Sequence, residues 1–280
     1  MVERSMTLTD AIKIIKIMVC AMIFSSCSLL DEHPYSGDIY GEIGLTDKNV
    51  KAIEAQNKGK DEITLAFLSD TQGWFDDTRD AVKHINKQAE IDFVLHGGDL
   101  TDFGLPSEFC LMRDALQRFS IPWVTAVGNH DLLANGETIY RKIFGDTNYA
   151  FTAGKVRVIV INSNALEYDF KGIPDFGFLA QEKAYIDQIN AAGNTIQQTV
   201  ILMHSHPGDE QFNQSELDHF HAFLKSVPRP ILLSGHTHSF EISNPFGDEI
   251  PLYTTPAIKK RIYLIFTFKD NGYEMQKVEY

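Results

Sequence analysis

Three features of this 280-residue chain predict an α/β fold. Unbroken apolar runs such as Ile63-Thr64-Leu65-Ala66-Phe67-Leu68 read as strands covered on both faces. These runs alternate with stretches of helical period, the layout of a layered α/β domain. Finally, Asp, Asn and His residues gather where the apolar runs stop, the place where open α/β sheets collect ligands.

The elements follow in chain order. Lys13 and Lys16 precede the apolar stretch Ile17 to Phe24, followed by Ser25-Ser26-Cys27. A basic start, an apolar stretch of about 8 residues and small residues at the cut describe a secretory signal, where a membrane span needs roughly 20. Residues 1–26 are therefore expected to be removed. Ile23-Phe24-Ser25-Ser26-Cys27 also resembles a bacterial lipobox, which implies acylation of Cys27 and a membrane-anchored, exported protein of the cell envelope, on its periplasmic or surface face. Residues 27–60 read as a polar tether with one short helix from about Asp47 to Asn57, and 61–280 as a single domain.

Within that domain the first strand is Ile63 to Leu68. A helix is predicted from about Asp76 to Ala89, with Ala81, Val82 and Ile85 on one side, and a strand at Ile91 to Leu95. Ser107 reads as the N-cap of a helix to Phe119, followed by a strand at Pro122 to Val127. Further strands are expected near Val156–Ile161, Thr199–Met203, Pro230–Leu233, Leu252–Thr254 and Arg261–Phe268. Helices are expected at about Phe178–Ala192 and Ser215–Lys225. The last strands, joined by short loops, suggest an antiparallel contribution.

Composition narrows the function. An apolar content of 44% supports a sizeable core. A formal net charge of −13 argues against a nucleic-acid partner. Once Cys20 is cleaved and Cys27 acylated, only Cys110 remains, so the mature chain has no internal disulfide, and Cys110 reads as a small buried apolar residue.

The chemistry lies in five segments: Ser69-Asp70-Thr71-Gln72, Gly98-Asp99-Leu100-Thr101-Asp102, Gly128-Asn129-His130-Asp131, Met203-His204 and Gly235-His236-Thr237-His238. Oxygen and imidazole donors without thiolate suit Mn, Fe or Zn. Two such ions can clamp a phosphoryl group and activate water. An alternative of another class is a non-catalytic surface protein that keeps a metal site for ligand capture.

In this order the five segments resemble the calcineurin-like metallophosphoesterases, whose pattern is D-x-H, G-D-x-x-D/E, G-N-H-D/E, H and G-H-x-H. The resemblance spans residues 64 to 238. It implies a four-layer α/β/β/α sandwich of two mixed sheets, and a hydrolase of small phosphoesters with two divalent metal ions. By position, Asp70, Gln72 and His238 would hold the first metal, Asn129, His204 and His236 the second, and Asp99 would bridge them. A bridging hydroxide would attack phosphorus. His130 would protonate the leaving oxygen, with the Asp102 carboxylate orienting it. The layout looks most like the small phosphodiesterase branch. Gln72 departs from the pattern, which has His there. An amide oxygen still ligates but is less basic, so the first site is expected to be weaker or to favour Mn over Zn.

Neighbouring residues are read more plainly. His206 belongs to a rim or supporting position, and His96 supports the site or packs in the core. Asp131 suits a structural turn or salt bridge. His33, His84, His219 and His221 read as surface or satisfied polar groups. Trp74 and Phe75 either stack on substrate or pack at the sheet edge, and Ser163 to Phe178 is the main candidate lid.

Overall fold

The structure, a computed structural model, describes residues 37–280 together with Lys13, Ile15, Lys16 and Met18. Apart from those four residues the signal segment lies outside the described residues, as do Cys27 and His33. Among the described residues, no helix is long and apolar enough to cross a membrane.

Two mixed sheets pack face to face. The first has the order β11-β10-β1-β2-β3, with β1 (Ile63–Leu68), β2 (Phe93–His96) and β3 (Trp123–Thr125) parallel. β10 (Ile262–Lys269) and β11 (Gly272–Glu279) add antiparallel pairs. The second has the order β4-β5-β6-β7-β9-β8. Here β5 (Val156–Val160), β6 (Gln198–Leu202), β7 (Pro230–Ser234) and β9 (Leu252–Thr254) run parallel. β4 (Tyr149–Ala153) and β8 (Glu241–Ser243) pair antiparallel at the two edges.

The period-two alternation of strand side chains explains the layers. In β1, Ile63, Leu65 and Phe67 enter the core between the sheets, while Ala66 and Leu68 face the outer core. In β5, Val156, Val158 and Val160 point inward and Ile159 outward, beneath the helices. Helices α2 (Phe75–Ile85), α3 (Pro106–Leu116) and α4 (Gly136–Ile143) cover the first sheet. Helices α5 (Phe176–Ala191) and α6 (Leu217–Ser226) cover the second. The result is the four-layer α/β/β/α sandwich.

Several expectations need correction. The first helix, α1 (Leu45–Asn57), is part of the domain, because Ile53 is buried in the inter-sheet core and Leu45 in the outer one. The chain ahead of it also packs, since the buried Arg113 guanidinium donates to the carbonyls of Tyr40 and Glu42. Ser107 does not cap α3. Pro106 opens that helix, and the Glu108 carboxylate accepts from the backbone N–H groups of Phe103 and Leu105. The sequence reading missed β4, β8, β11 and α4. Cys110 is fully buried, as expected.

Candidate metal centre

The parallel strands of both sheets send their C-terminal ends to one edge, where a parallel bridge between Ser69 and Ala257 ties the sheets together. Asp70 follows β1, Asp99 follows β2, Asn129 and His130 follow β3, His204 follows β6, and His236 and His238 follow β7. The turns are sharp. Asp70, Asp99, His236 and His238 all adopt positive φ, between 53° and 69°. Such left-handed backbone costs about 1–3 kcal/mol per residue and gathers at functional sites. Gly98, at φ 94°, cannot be replaced cheaply, because a Cβ there would lie 2.8 Å from the Gly128 nitrogen and 2.9 Å from His204 Nδ1. The loops are packed backbone to ligand.

Two ligand clusters result, each with its donor atoms within 4.8 Å of one another: Asp70, Asp99 and His238, and Asp99, His204 and His236. They share Asp99. In the first, His238 Nε2 lies 3.2 Å from Asp70 Oδ1. Gln72 Nε2 donates to Asp99 Oδ2 at 3.2 Å, while its buried Oε1 has no hydrogen-bond partner. In the second, Asn129 Oδ1 lies 3.1 Å from His204 Nε2 and 3.2 Å from His236 Nδ1, and those two nitrogens are 3.2 Å apart.

The protonation pattern tests whether metals fit. His204 Nδ1–H donates to the Gly97 carbonyl at 2.8 Å, so in the neutral ring Nε2 presents a lone pair. That lone pair faces the oxygens of Asn129 and Asp99, which also need a cation or a proton. Burial opposes protonation of His204, but the Asp99 carboxylate, with Asp70 and the Gly97 carbonyl, raises its pKa to about 10. Protonation of His204 would offer these oxygens the positive charge that a cation also supplies. A divalent ion would satisfy the same acceptors, and the unpartnered Gln72 oxygen, beside Asp99, suits it too. The residues fit the metals.

Supporting groups complete the picture. Asp209, which the sequence reading overlooked, lies with Oδ1 3.3 Å from His236 Nε2, on the side of the ring away from Asn129. No spacing pattern marks Asp209, although its place five residues after His204 put it within reach. Asp131 Oδ1 accepts from Leu100 N, Thr101 N and Thr101 Oγ1, and Oδ2 accepts from Gly128 N, so it fastens the second and third loops together. Burial and Asp99 push its carboxyl up to about 7 against those donors. His96 is buried, accepts from Gly98 N at Nδ1 and donates from Nε2 to Thr71 Oγ1. Burial, with repulsion from His204, holds it down to about 3, so it stays neutral and braces two loops.

His130 belongs to neither cluster. Its backbone N–H donates to Asp99 Oδ1 at 3.1 Å and its Nδ1–H to the backbone carbonyl of Asp102 at 2.9 Å. The contact expected from the Asp102 carboxylate is therefore made by the main chain. The carboxylate lies against the Gly73 turn, 3.0 Å from where a Cβ would sit. His206 belongs to neither cluster, and its Nδ1 lies 2.9 Å from the Pro207 carbonyl. His84 stacks on Tyr280, His219 on Phe176, and His221 bonds Asp248 at 2.5 Å. In the expected lid, a short helical turn at Ala165–Tyr168 carries exposed Leu166 and Glu167, and partial burial raises the Glu167 carboxyl against the opposing pull of His130.

Comparison with known proteins agrees with this geometry. The calcineurin-like phosphoesterase family matches residues 63–249. The chain belongs to that family. It is a phosphoester hydrolase of the metallophosphoesterase type, and two divalent metals are the family's usual cofactor. It is 26% identical to a probable cyclic nucleotide phosphodiesterase of Moraxella catarrhalis over 211 residues, 68% of this chain and 71% of the other. It is likewise 26% identical to the uncharacterized protein YpbG of Bacillus subtilis over 231 residues, 79% and 77% of the two chains. Among solved structures, purple acid phosphatase PPD1 from yellow lupin matches with a TM-score of 0.59 at 14% identity, over 79% of this chain and 52% of that one. GAP50 of Plasmodium, described as an anchor in the inner membrane complex, matches with a TM-score of 0.58 at 14% identity, over 79% and 85%. These structural likenesses speak for the fold.

Proposed function

We propose that this chain hydrolyses small phosphodiesters, and phosphomonoesters less readily, at a two-metal centre. The observation that carries this reading is a pair of ligand clusters sharing Asp99, with an uncoordinated imidazole, His130, held beside them. The name of the Moraxella relative supports the preference for diesters.

Asp70, Gln72 and His238 would hold the first metal and Asn129, His204 and His236 the second, with Asp99 available to both. When bound, the two cations neutralise phosphoryl charge and lower the pKa of water towards about 7. The rest falls to the protein. With Nδ1–H fixed on the Asp102 carbonyl, His130 keeps Nε2 for the leaving oxygen and gives up a proton there as the ester bond breaks. Asp209 fixes the proton of His236 on Nε2, leaving Nδ1 free to ligate. Asp131 and His96 hold the loops in register.

The reading is tested with protein stripped by chelator and re-supplied separately with Mn, Zn, Fe, Mg or Ni. Hydrolysis of bis(p-nitrophenyl) phosphate is compared with that of p-nitrophenyl phosphate, with Asp99→Asn as control. Metal-restored turnover absent from the control is the expected result. A folded, metal-loaded protein inert to both esters would favour the metal-containing binding protein instead. His130→Ala should lower turnover by about 10²-fold or more with metal content unchanged; loss of metal with activity would refute its role as the acid.

We also propose that Cys27 is acylated and anchors the enzyme in the cell envelope, where exported phosphoesters would meet it. The lipobox-like Ile23-Phe24-Ser25-Ser26-Cys27 supports this. Membrane fractionation of Cys27→Ala tests it: release is expected, and unchanged association would sink it.

A further inference from the structure

Three consecutive cations, Lys259, Lys260 and Arg261, form the end of the short helical turn that packs against the first ligand loop. That turn is anchored there, since Ile258 N–H donates to the Asp70 carbonyl at 3.2 Å. Two of the three cations are spent on structure. Lys260 Nζ donates to the His238 carbonyl at 2.9 Å, and Arg261 Nη1 lies 3.3 Å from both Asp77 and Asp80 on α2. Lys259 is different. It is exposed, and among the described residues no carboxylate lies within ion-pair distance of it, although acidic side chains outnumber basic ones in this chain by 38 to 25.

Its position is nevertheless fixed. Lys259 Nζ sits 4.6 Å from the centroid of the Trp74 ring, a cation–π contact that holds an ammonium without neutralising it. Trp74 is itself held by its N–H on the Thr71 carbonyl and by its own carbonyl, which accepts from both Thr78 N and Thr78 Oγ1. Trp74 stands two residues after Gln72, and its neighbour Gly73 packs against the carboxylate of Asp102, the residue whose carbonyl holds His130. An uncompensated, pre-positioned ammonium on the rim of a site that handles phosphoesters is an anion subsite in waiting. Ordinary surface lysines in an acidic protein have neither the aromatic platform nor this place.

We infer that Lys259, seated on Trp74, binds a second anionic group of the substrate, so that the preferred substrates are phosphoesters carrying another phosphate or carboxylate beyond the one cleaved. The inference rests on the hydrolase reading above and narrows its substrate class. A phosphodiester with a further phosphate or carboxylate on one of its alcohol groups has this chemistry; a plain alkyl or aryl diester, whose only charge is on the phosphate cleaved, does not.

The experiment compares the p-nitrophenyl ester of thymidine 5′-phosphate with the same ester bearing a 3′-phosphate, using metal-loaded protein. The wild type should favour the bisphosphate about fivefold in kcat/KM, mainly through KM. Lys259→Met keeps the aliphatic packing on Trp74 and should bring the ratio to about one. Lys259→Glu should invert it, and Lys259→Arg should keep it. A second readout needs no turnover. Of the two tryptophans, Trp123 is only 5% exposed while Trp74 is 39% exposed. Thymidine 3′,5′-bisphosphate should therefore change the emission of the wild type and not of Lys259→Met. Equal kcat/KM values for the two esters in the wild type, or a preference that survives Lys259→Met, would overturn the subsite while leaving the hydrolase intact. If neither ester is cleaved, the hydrolase reading fails and the emission change alone decides whether Lys259 binds anions.

Discussion

The two halves of the metal centre share Asp99 but are built to different standards. The half formed by Asn129, His204 and His236 is deep and braced. His204 is fully buried with its Nδ1–H on the Gly97 carbonyl, Ser234 Oγ donates to the His204 carbonyl at 2.5 Å, and Asp209 backs His236. The half formed by Asp70, Gln72 and His238 buries its first two residues but is open at the third. The His238 side chain is 43% exposed, and a neutral amide stands where the family pattern has an imidazole. Two imidazoles instead of one, and the bracing of both, favour the half built on His204 and His236. We therefore propose that the metals load in sequence, the second site tightly and the first weakly, with full activity only when the weak site fills.

The largest effect expected is from Asp99→Asn, which removes the charge common to both halves. Metal content measured by atomic absorption should fall at both sites, and turnover should drop by about 10³-fold or more. Next, His204→Ala should abolish tight binding, whereas His238→Ala should leave one tightly held metal per chain. Equal losses from the two variants would break the comparison. Asp209→Asn should weaken the tight site about 10–100-fold without unfolding the chain, and Asp209→Glu should recover part of the loss. A competition assay with a chromophoric chelator reads both.

A pH effect of known sign follows from His204. Its pKa of about 10 in the metal-free chain lies above the unfolded value near 6.5, so its pairing with Asp99 stabilises the metal-free protein fully below that value and is lost as pH rises through 10. The tight metal must expel this proton, so its apparent affinity should fall about tenfold per pH unit on acidification below 10. Calorimetry in buffers of different ionisation enthalpy counts the released proton. Affinity that does not change with pH would contradict the assignment of His204 as a ligand.

The same contrast explains what could be read in the sequence. Strands buried on both faces announce themselves: β1 and β9 lie at their predicted boundaries because every residue in them is buried. Edge strands do not. β8 and β11 contain no fully buried residue and carry Glu241, Glu274, Lys277 and Glu279, so they read as loop although Tyr273 and Met275 lean on the inter-sheet core. Charged edges of this kind also discourage pairing with other chains. Helix α3 misled because Ser107 offered a plausible cap while Pro106 and Glu108 supplied the real start. In the site, residues at strand ends were legible, since motif spacing and topology bring them together. Asp209 was not, because its role depends on the path of a loop that no periodicity constrains. The Asp102 contact was half legible: the residue is beside His130, but through its carbonyl.

The most direct test is calorimetric titration of the stripped protein with Mn, run beside Gln72→His. The account predicts two binding steps in the wild type, one tight and one weak. In the variant the weak step should strengthen towards the tight one, with half-maximal activity reached at lower metal concentration. A single class of two equal sites in the wild type, or a variant whose weak step does not move, would contradict the claim that Gln72 sets the difference between the halves.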